Sequence, residues 1–315
     1  MIAFFRKPSS AAQGDWYRDA SPADRQEYDA FGPWLHAVRS PVDMPPRFLP
    51  WYAEHGQARF LLKIPRDAER RTVRPGQDLY RAVLAVHPDR VCLLSLEGET
   101  VGIREAAIDR VLAIRNFHSL LQAEFGLPLA DGTSLSIDYN SVSLDLMEEV
   151  VDYLRSRLAA RHPVTVTAGQ PEIGIVADPL VVEDYYFHNL LVSHRKRNRL
   201  AVVVHVERPG IRCRDEKGRR RRSLGCVVLD CGTELVLVWR GRSMRRSREA
   251  VQAQEDLHIP YSSIRSADLG ERPAGKQGNN PVLRLGLESG AVEIDLNEPA
   301  GRLMDCLAAR RRNLI

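Results

Sequence analysis

A chain that repeats itself is more constrained than one that carries a motif, because both copies must fold to one shape. Displaced by 144 residues, Gln57–Leu94 lies over Ala201–Val238. Each copy opens with an extended, mostly apolar run that ends in proline, QARFLLKIP at Pro65 and AVVVHVERP at Pro209. A largely polar stretch follows, at 66–80 and at 210–224. Then comes a hairpin pattern, RAVLAVHPDRVCLL (81–94) against GCVVLDCGTELVLV (225–238), with Pro88-Asp89 and Gly232-Thr233 as the turn residues. At a displacement of 156, Ile103 and Ile108 fall on Ile259 and Ile264. At 157, LSIDYNSVSLDLMEEVVDYL (135–154) falls on VEIDLNEPAGRLMDCLAARR (292–311), so that Asp138, Asn140 and Met147 meet Asp295, Asn297 and Met304. Three collinear blocks, with one 12-residue length change between the first two, predict the same architecture twice.

Each copy reads as several short strands followed by one helix. Thr133–Tyr139 alternates, with Leu135, Ile137 and Tyr139 on one face and Asp138 on the solvent side. Start signals for the helices stand at Asn140-Ser141 and at Asn297-Glu298-Pro299. Leu144, Met147, Val150, Val151 and Leu154 recur at helical spacing, as do Leu303, Met304 and Leu307, giving each helix one apolar stripe. The basic run Arg310-Arg311-Arg312 suits a helix C-terminus.

About 100 residues of strand, turn and strand with a terminal helix resembles the pleckstrin-homology (PH) superfold, and in particular the bacterial PH-like domains that occur in tandem. The hairpins with their apolar pairs, Ile259–Ile264 (IPYSSI) and the terminal LMDCLAARR helix carry the resemblance. It implies an α+β protein with two PH-like split β-barrels, each of about seven antiparallel strands closed by a C-terminal helix; a split barrel of another type is the alternative. The expected organisation is an aromatic and proline-rich N-terminal arm (1–56), PH-like domain 1 (57–158), a linker and helix (159–199) and PH-like domain 2 (200–315). Within the arm, Ser21-Pro22 starts a short helix to about Phe31, and Trp34, Phe48, Trp51 and Tyr52 are expected to pack on the first domain. A further helix is expected over about 180–199, with a basic end at 194–199.

The formal net charge of +4 conceals a strong asymmetry. Residues 191–250 hold 17 Lys and Arg against 6 Asp and Glu, whereas the rest of the chain is net acidic. Such a segment suits an anionic partner. The PH resemblance implies that the loops joining strands 1–2 and 3–4 meet at the open end of the barrel. In the second copy the first of these carries Arg212, Arg214, Lys217, Arg219, Arg220, Arg221 and Arg222, and the second carries Arg240, Arg242, Arg245, Arg246 and Arg248. These twelve are the candidate anion- or partner-binding residues.

Catalytic signatures are missing. The stretch Gly270–Gln277 (GERPAGKQ) approaches a phosphate-binding loop, but Gln277 stands where a Mg²⁺-binding hydroxyl is required, and a loop between two strands is the better reading. The nine histidines and five cysteines show no metal or disulfide spacing, which suits a reducing cytoplasm. The sequence contains no G-x-S-x-G, H-E-x-x-H or G-x-G-x-x-G. No catalytic residue, metal site or cofactor is expected, and no small-molecule substrate. The reading is a non-enzymatic binding or scaffold protein that holds protein partners. Peripheral attachment to anionic lipid at the inner face of the membrane is the alternative. Nucleic-acid binding ranks lower, because Trp239 is the one aromatic among the basic loops.

Overall fold

The computed structural model describes residues 15–161, 185–198, 201–209, 212–214, 220–222, 224–240, 253–273, 279–297 and 299–312. By contact the chain forms two compact units, Met1–His87 with Val91–Glu105, and Pro88–Arg90 with Ala106–Ile315. The units and the repeat are therefore cut at different places along the chain.

In the first unit, α1 (Asp15–Arg18) leads to α2 (Pro22–Ala30), which starts where the Ser21 hydroxyl accepts from the Asp24 N–H at 3.1 Å. Strand β1 (His36–Ala37) and α3 (Leu49–His55) follow, then β2 (Phe60–Pro65), β3 (Tyr80–Val86), β4 (Arg90–Glu97) and β5 (Thr100–Ala107). The strands form one sheet in chain order, β1-β2-β3-β4-β5. Phe48 and Trp51 are buried with Leu61, Val83, Ala85 and Leu94, and Tyr28 and Phe31 with Leu79 and Tyr80. The arm thus supplies a strand as well as core aromatics; Trp34 stays exposed.

The second unit begins with β6 (Ile114–Ser119), β7 (Gln122–Pro128), β8 (Ser134–Asn140) and α4 (Leu144–Arg161). After α5 (Tyr185–Arg197) come β9 (Val202–Glu207), the short β10 (Arg212–Arg214) and β11 (Arg220–Arg222), then β12 (Cys226–Asp230), β13 (Glu234–Trp239) and β14 (Ala253–Pro260). The chain ends with β15 (Ser266–Pro273), β16 (Asn279–Gly286), β17 (Ala291–Asp295) and α6 (Gly301–Arg312). Gly270–Pro273 therefore belong to β15, and the rest of the phosphate-loop near miss, 274–277, lies outside the described residues.

Every pairing with a determined register is antiparallel, so the protein is α+β with antiparallel sheets. The expectation of two barrels each closed by its own helix is not met, because among the described residues no helix closes a barrel. Strands β6–β8 of the first copy join the second copy in one seven-stranded sheet, β8-β7-β6-β14-β13-β12-β9. The seam is the β6–β14 ladder, from Ile114 opposite His258 to Ser119 opposite Ala253.

Strand alternation explains the layering. Val228, Leu235 and Leu237 point into a core shared with Leu283, Leu285, Ile294, Leu303 and Leu307, whereas Val227, Leu229, Val236 and Val238 pack on Phe187, Leu190 and Leu191 of α5. Both faces are covered, which is why these strands read as unbroken apolar runs.

Seven strands precede a helix twice, β2–β8 before α4, and β9 with β12–β17 before α6. The middle block is displaced by 153 residues and not by 156: β5 and β14 each have eight residues and run straight into 3-10 turns at Ile108–Arg110 and Tyr261–Ser263. The isoleucine match at 156 was coincidental, and the length change falls in the β13–β14 connection.

Candidate functional site

The basic connections lie where the ladder directs them. Glu207 pairs with Cys226, Cys226 with Trp239, and Trp239 with Glu255, so these four residues form one row across β9, β12, β13 and β14. The β9–β12 and β13–β14 connections consequently leave the sheet from the same end. Part of the first forms the β10–β11 hairpin, which sets Arg212 opposite Arg222 and Arg214 opposite Arg220, with Arg221 opposite Cys213. Arg240 follows β13, and its guanidinium carbon lies 4.7 Å from the Tyr186 ring centroid on α5. Lys217, Arg219, Arg242, Arg245, Arg246 and Arg248 lie outside the described residues.

Two fully buried carboxylates underlie this end. Glu207 Oε1 is 2.6 Å from His205 Nε2, and its Oε2 accepts the Asn297 N–H at 2.9 Å. Glu255 accepts from Arg115 Nε at 2.9 Å. Each carboxylate is matched from within the fold, as burial demands.

A second constellation, which sequence reasoning missed, lies further along the sheet. Arg155 of α4 donates to Glu234 at 2.5 and 2.7 Å, and His258 Nδ1 is 3.5 Å from Glu234. Burial opposes ionisation of Glu234, but His258 and Arg155 outweigh it and hold the carboxyl at about 2. Asp256 is likewise buried, yet the hydrogen bond and charge of His194 at 3.3 Å hold its carboxyl below the usual range. The basic end of α5 is thus partly an internal ion-pair element.

Arg310, the first residue of the C-terminal basic run, behaves the same way. Arg310 is buried and donates to Asp230 at 2.7 and 3.2 Å, while Asp230 also accepts from the Tyr261 hydroxyl at 3.0 Å and the Gly232 N–H at 2.9 Å. Burial raises the Cys231 thiol to about 12 and the Cys306 thiol to about 11, far from thiolate reactivity. In the first unit, Lys63 Nζ donates to Asp43 O at 3.0 Å, lies 3.9 Å from Glu27 and sits 4.3 Å from the Tyr80 ring centroid. Burial pushes the Lys63 amine down and the Glu27 carboxyl up.

Among the described residues, no three His, Cys, Asp or Glu side chains converge as a metal site, and no helix is long and apolar enough to cross a membrane. An apolar cavity of about 120 Å³ opens between α6 and β15, walled by Ile264, Ala267, Met304, Leu307 and Ala308. In comparisons with known proteins, the chain matches no family model and has no significant match to a curated sequence.

Proposed function

We propose that the chain is a non-catalytic binding protein made of two PH-like units, whose basic end of the seven-stranded sheet holds an acidic protein partner. The departure of both arginine-rich connections from one row of the ladder carries this reading. Like charges directly opposed across a hairpin disfavour it, and the β10–β11 register sets two arginine pairs opposite each other. An anionic partner relieves that repulsion. The PH-like assignment is supported by the common core of β12–β17 and α6. The non-catalytic one is supported by the ion pairs that occupy Glu234, Asp256 and Asp230 inside the fold.

The same charges favour a second reading, peripheral attachment to anionic phospholipid in the cytoplasm, since a basic residue near such a surface gains about 1 kcal/mol. Nucleic acid is the lesser alternative. The test replaces Arg220, Arg221, Arg245 and Arg246 by Ser. This reading expects the melting temperature to stay nearly unchanged, because the charges of a partner-binding surface contribute little to stability. Partners recovered by pull-down, or flotation with anionic liposomes, should be lost, and wild-type binding should weaken steeply with salt. A variant that keeps every partner, beside a wild type that ignores anionic liposomes at low salt, would end both readings.

A further inference from the structure

The repeat places equivalent strands at a seam and at two free edges. Within the chain, the fourth strand of the second copy, β14, pairs with the fifth strand of the first, β6. Their counterparts are β5 and β15. Among the described residues β5 is the last strand of its sheet and β15 is the outer strand of β15-β16-β17, so each offers an unpaired edge. Such edges template association with another chain.

The equivalence is local and can be checked. Val111 N–H bonds Ile108 O after β5, and Ile264 N–H bonds Tyr261 O after β14; Leu112 N–H bonds Pro128 O before β6 and Arg265 N–H bonds Gly286 O before β15. Ile108, Val111 and Leu112 agree on the displacement of 153 residues, whereas the acceptors Pro128 and Gly286, which lie in the following strands β7 and β16, are further apart. In the β6–β14 ladder, Phe117 faces Glu255, Asn116 faces Asp256 and Arg115 faces Leu257. Carried to the counterpart strands, these pairs become Gly270 with Gly102, Leu269 with Ile103 and Asp268 with Arg104.

The residues that this register brings together are chemically matched. Ile103 and Leu269 are large apolar side chains left 53% and 60% exposed. Arg104 and Asp268 are both exposed and of opposite charge. Directly opposed apolar and oppositely charged pairs are the ones that stabilise antiparallel ladders. Asp268 and Glu271 would repel a second β15, which disfavours pairing of like edges.

From these relations we infer that one copy of this chain docks its β5 on the β15 edge of a second copy, repeating between molecules the β14–β6 seam within each. The contact joins two different surfaces, so it is head-to-tail and each added copy presents the next free edge. It does not involve the basic loops.

Sedimentation velocity of the full chain over a rising concentration range tests this. The expected result is a mass that grows with concentration for the wild type and remains that of one chain for Ile103→Lys and for Leu269→Lys. Mixing these two variants should give a species of two chains and nothing larger, because one supplies an intact β5 and the other an intact β15. Circular dichroism melts matching wild type would exclude unfolding as the cause. A wild type that stays a single chain at every concentration would overturn the inference. So would association of either single variant, or a mixture that forms no pair.

Discussion

Arg155, near the end of α4, and Glu234, the first residue of β13, are bonded across 79 residues of sequence. The helix closes the first copy and the strand belongs to the second, so this pair and the β6–β14 ladder tie the copies together. Glu234 is buried and the Arg155 side chain is 14% exposed, and Asp152 at 2.6 Å shares the guanidinium.

Removing one partner strands the other charge in the interior, which costs about 3–5 kcal/mol. Arg155→Ala should therefore lower the urea midpoint markedly. Arg155→Met combined with Glu234→Met should recover most of that loss, because a buried pair replaced together by apolar groups is close to neutral. An unshifted midpoint for Arg155→Ala would show that the pair is not buried.

Acid should weaken the second unit through the same residue. The Glu234 carboxyl lies at about 2 in the fold against an ordinary 4.5, so the unfolded chain takes up its proton first as pH falls. The stability it contributes is complete above about 4.5 and is lost on the way down to about 2, and Asp256 acts in the same direction. Thermal melts across that window should fall with pH, and Glu234→Gln should flatten the slope. An equal slope in the variant would place the acid sensitivity elsewhere.

Local features were readable because a few neighbouring residues decide them. Asn140 accepts the Val142 N–H at 3.0 Å as the expected cap, Gly232 takes the turn at φ 86°, and Leu135, Ile137 and Tyr139 are buried while Asp138 is exposed. Long-range features were not. Nothing near Ile114–Ser119 announces that its partner is Ala253–Pro260, since β-pairing reads only a period of two. Arg310 looked like a helix-end cation, but a partner 80 residues upstream draws it inside. His194 was hidden similarly, by Asp256 on a distant strand. Of the twelve candidate arginines and lysine, the common end of the two loops is fixed by register, and only Arg240 has a described side-chain contact.

Burial also separates two residues that the repeat makes look alike. The identity match sets Met147 on Met304, yet Met147 and Leu303 are the fully buried positions and Met304 is only half-buried. Leu303→Asp should unfold the second unit, because an unpaired buried carboxylate costs several kcal/mol. Met304→Gln should cost only about 1 kcal/mol. Equal losses for the two in a chemical melt would mean that α6 does not face the core with Leu303.

Gly225 offers a sharper test of the backbone at the root of the basic hairpin. It has φ 86°, in the region that costs an L-residue about 1–2 kcal/mol. A Cβ there would also sit 2.5 Å from the Glu207 carbonyl oxygen, a backbone atom paired into the β9–β12 ladder that cannot rotate away. Gly290, in the same unit, has φ 81° and open space around its missing Cβ. Gly290→Ala should thus pay the conformational term alone, lowering the melting temperature by a few degrees. Gly225→Ala should lower it clearly further, because β9 or β12 must shift at the row from which both arginine-rich connections leave. Matching shifts in the two variants, read by calorimetry, would mean that β9 and β12 do not approach as closely as their ladder requires.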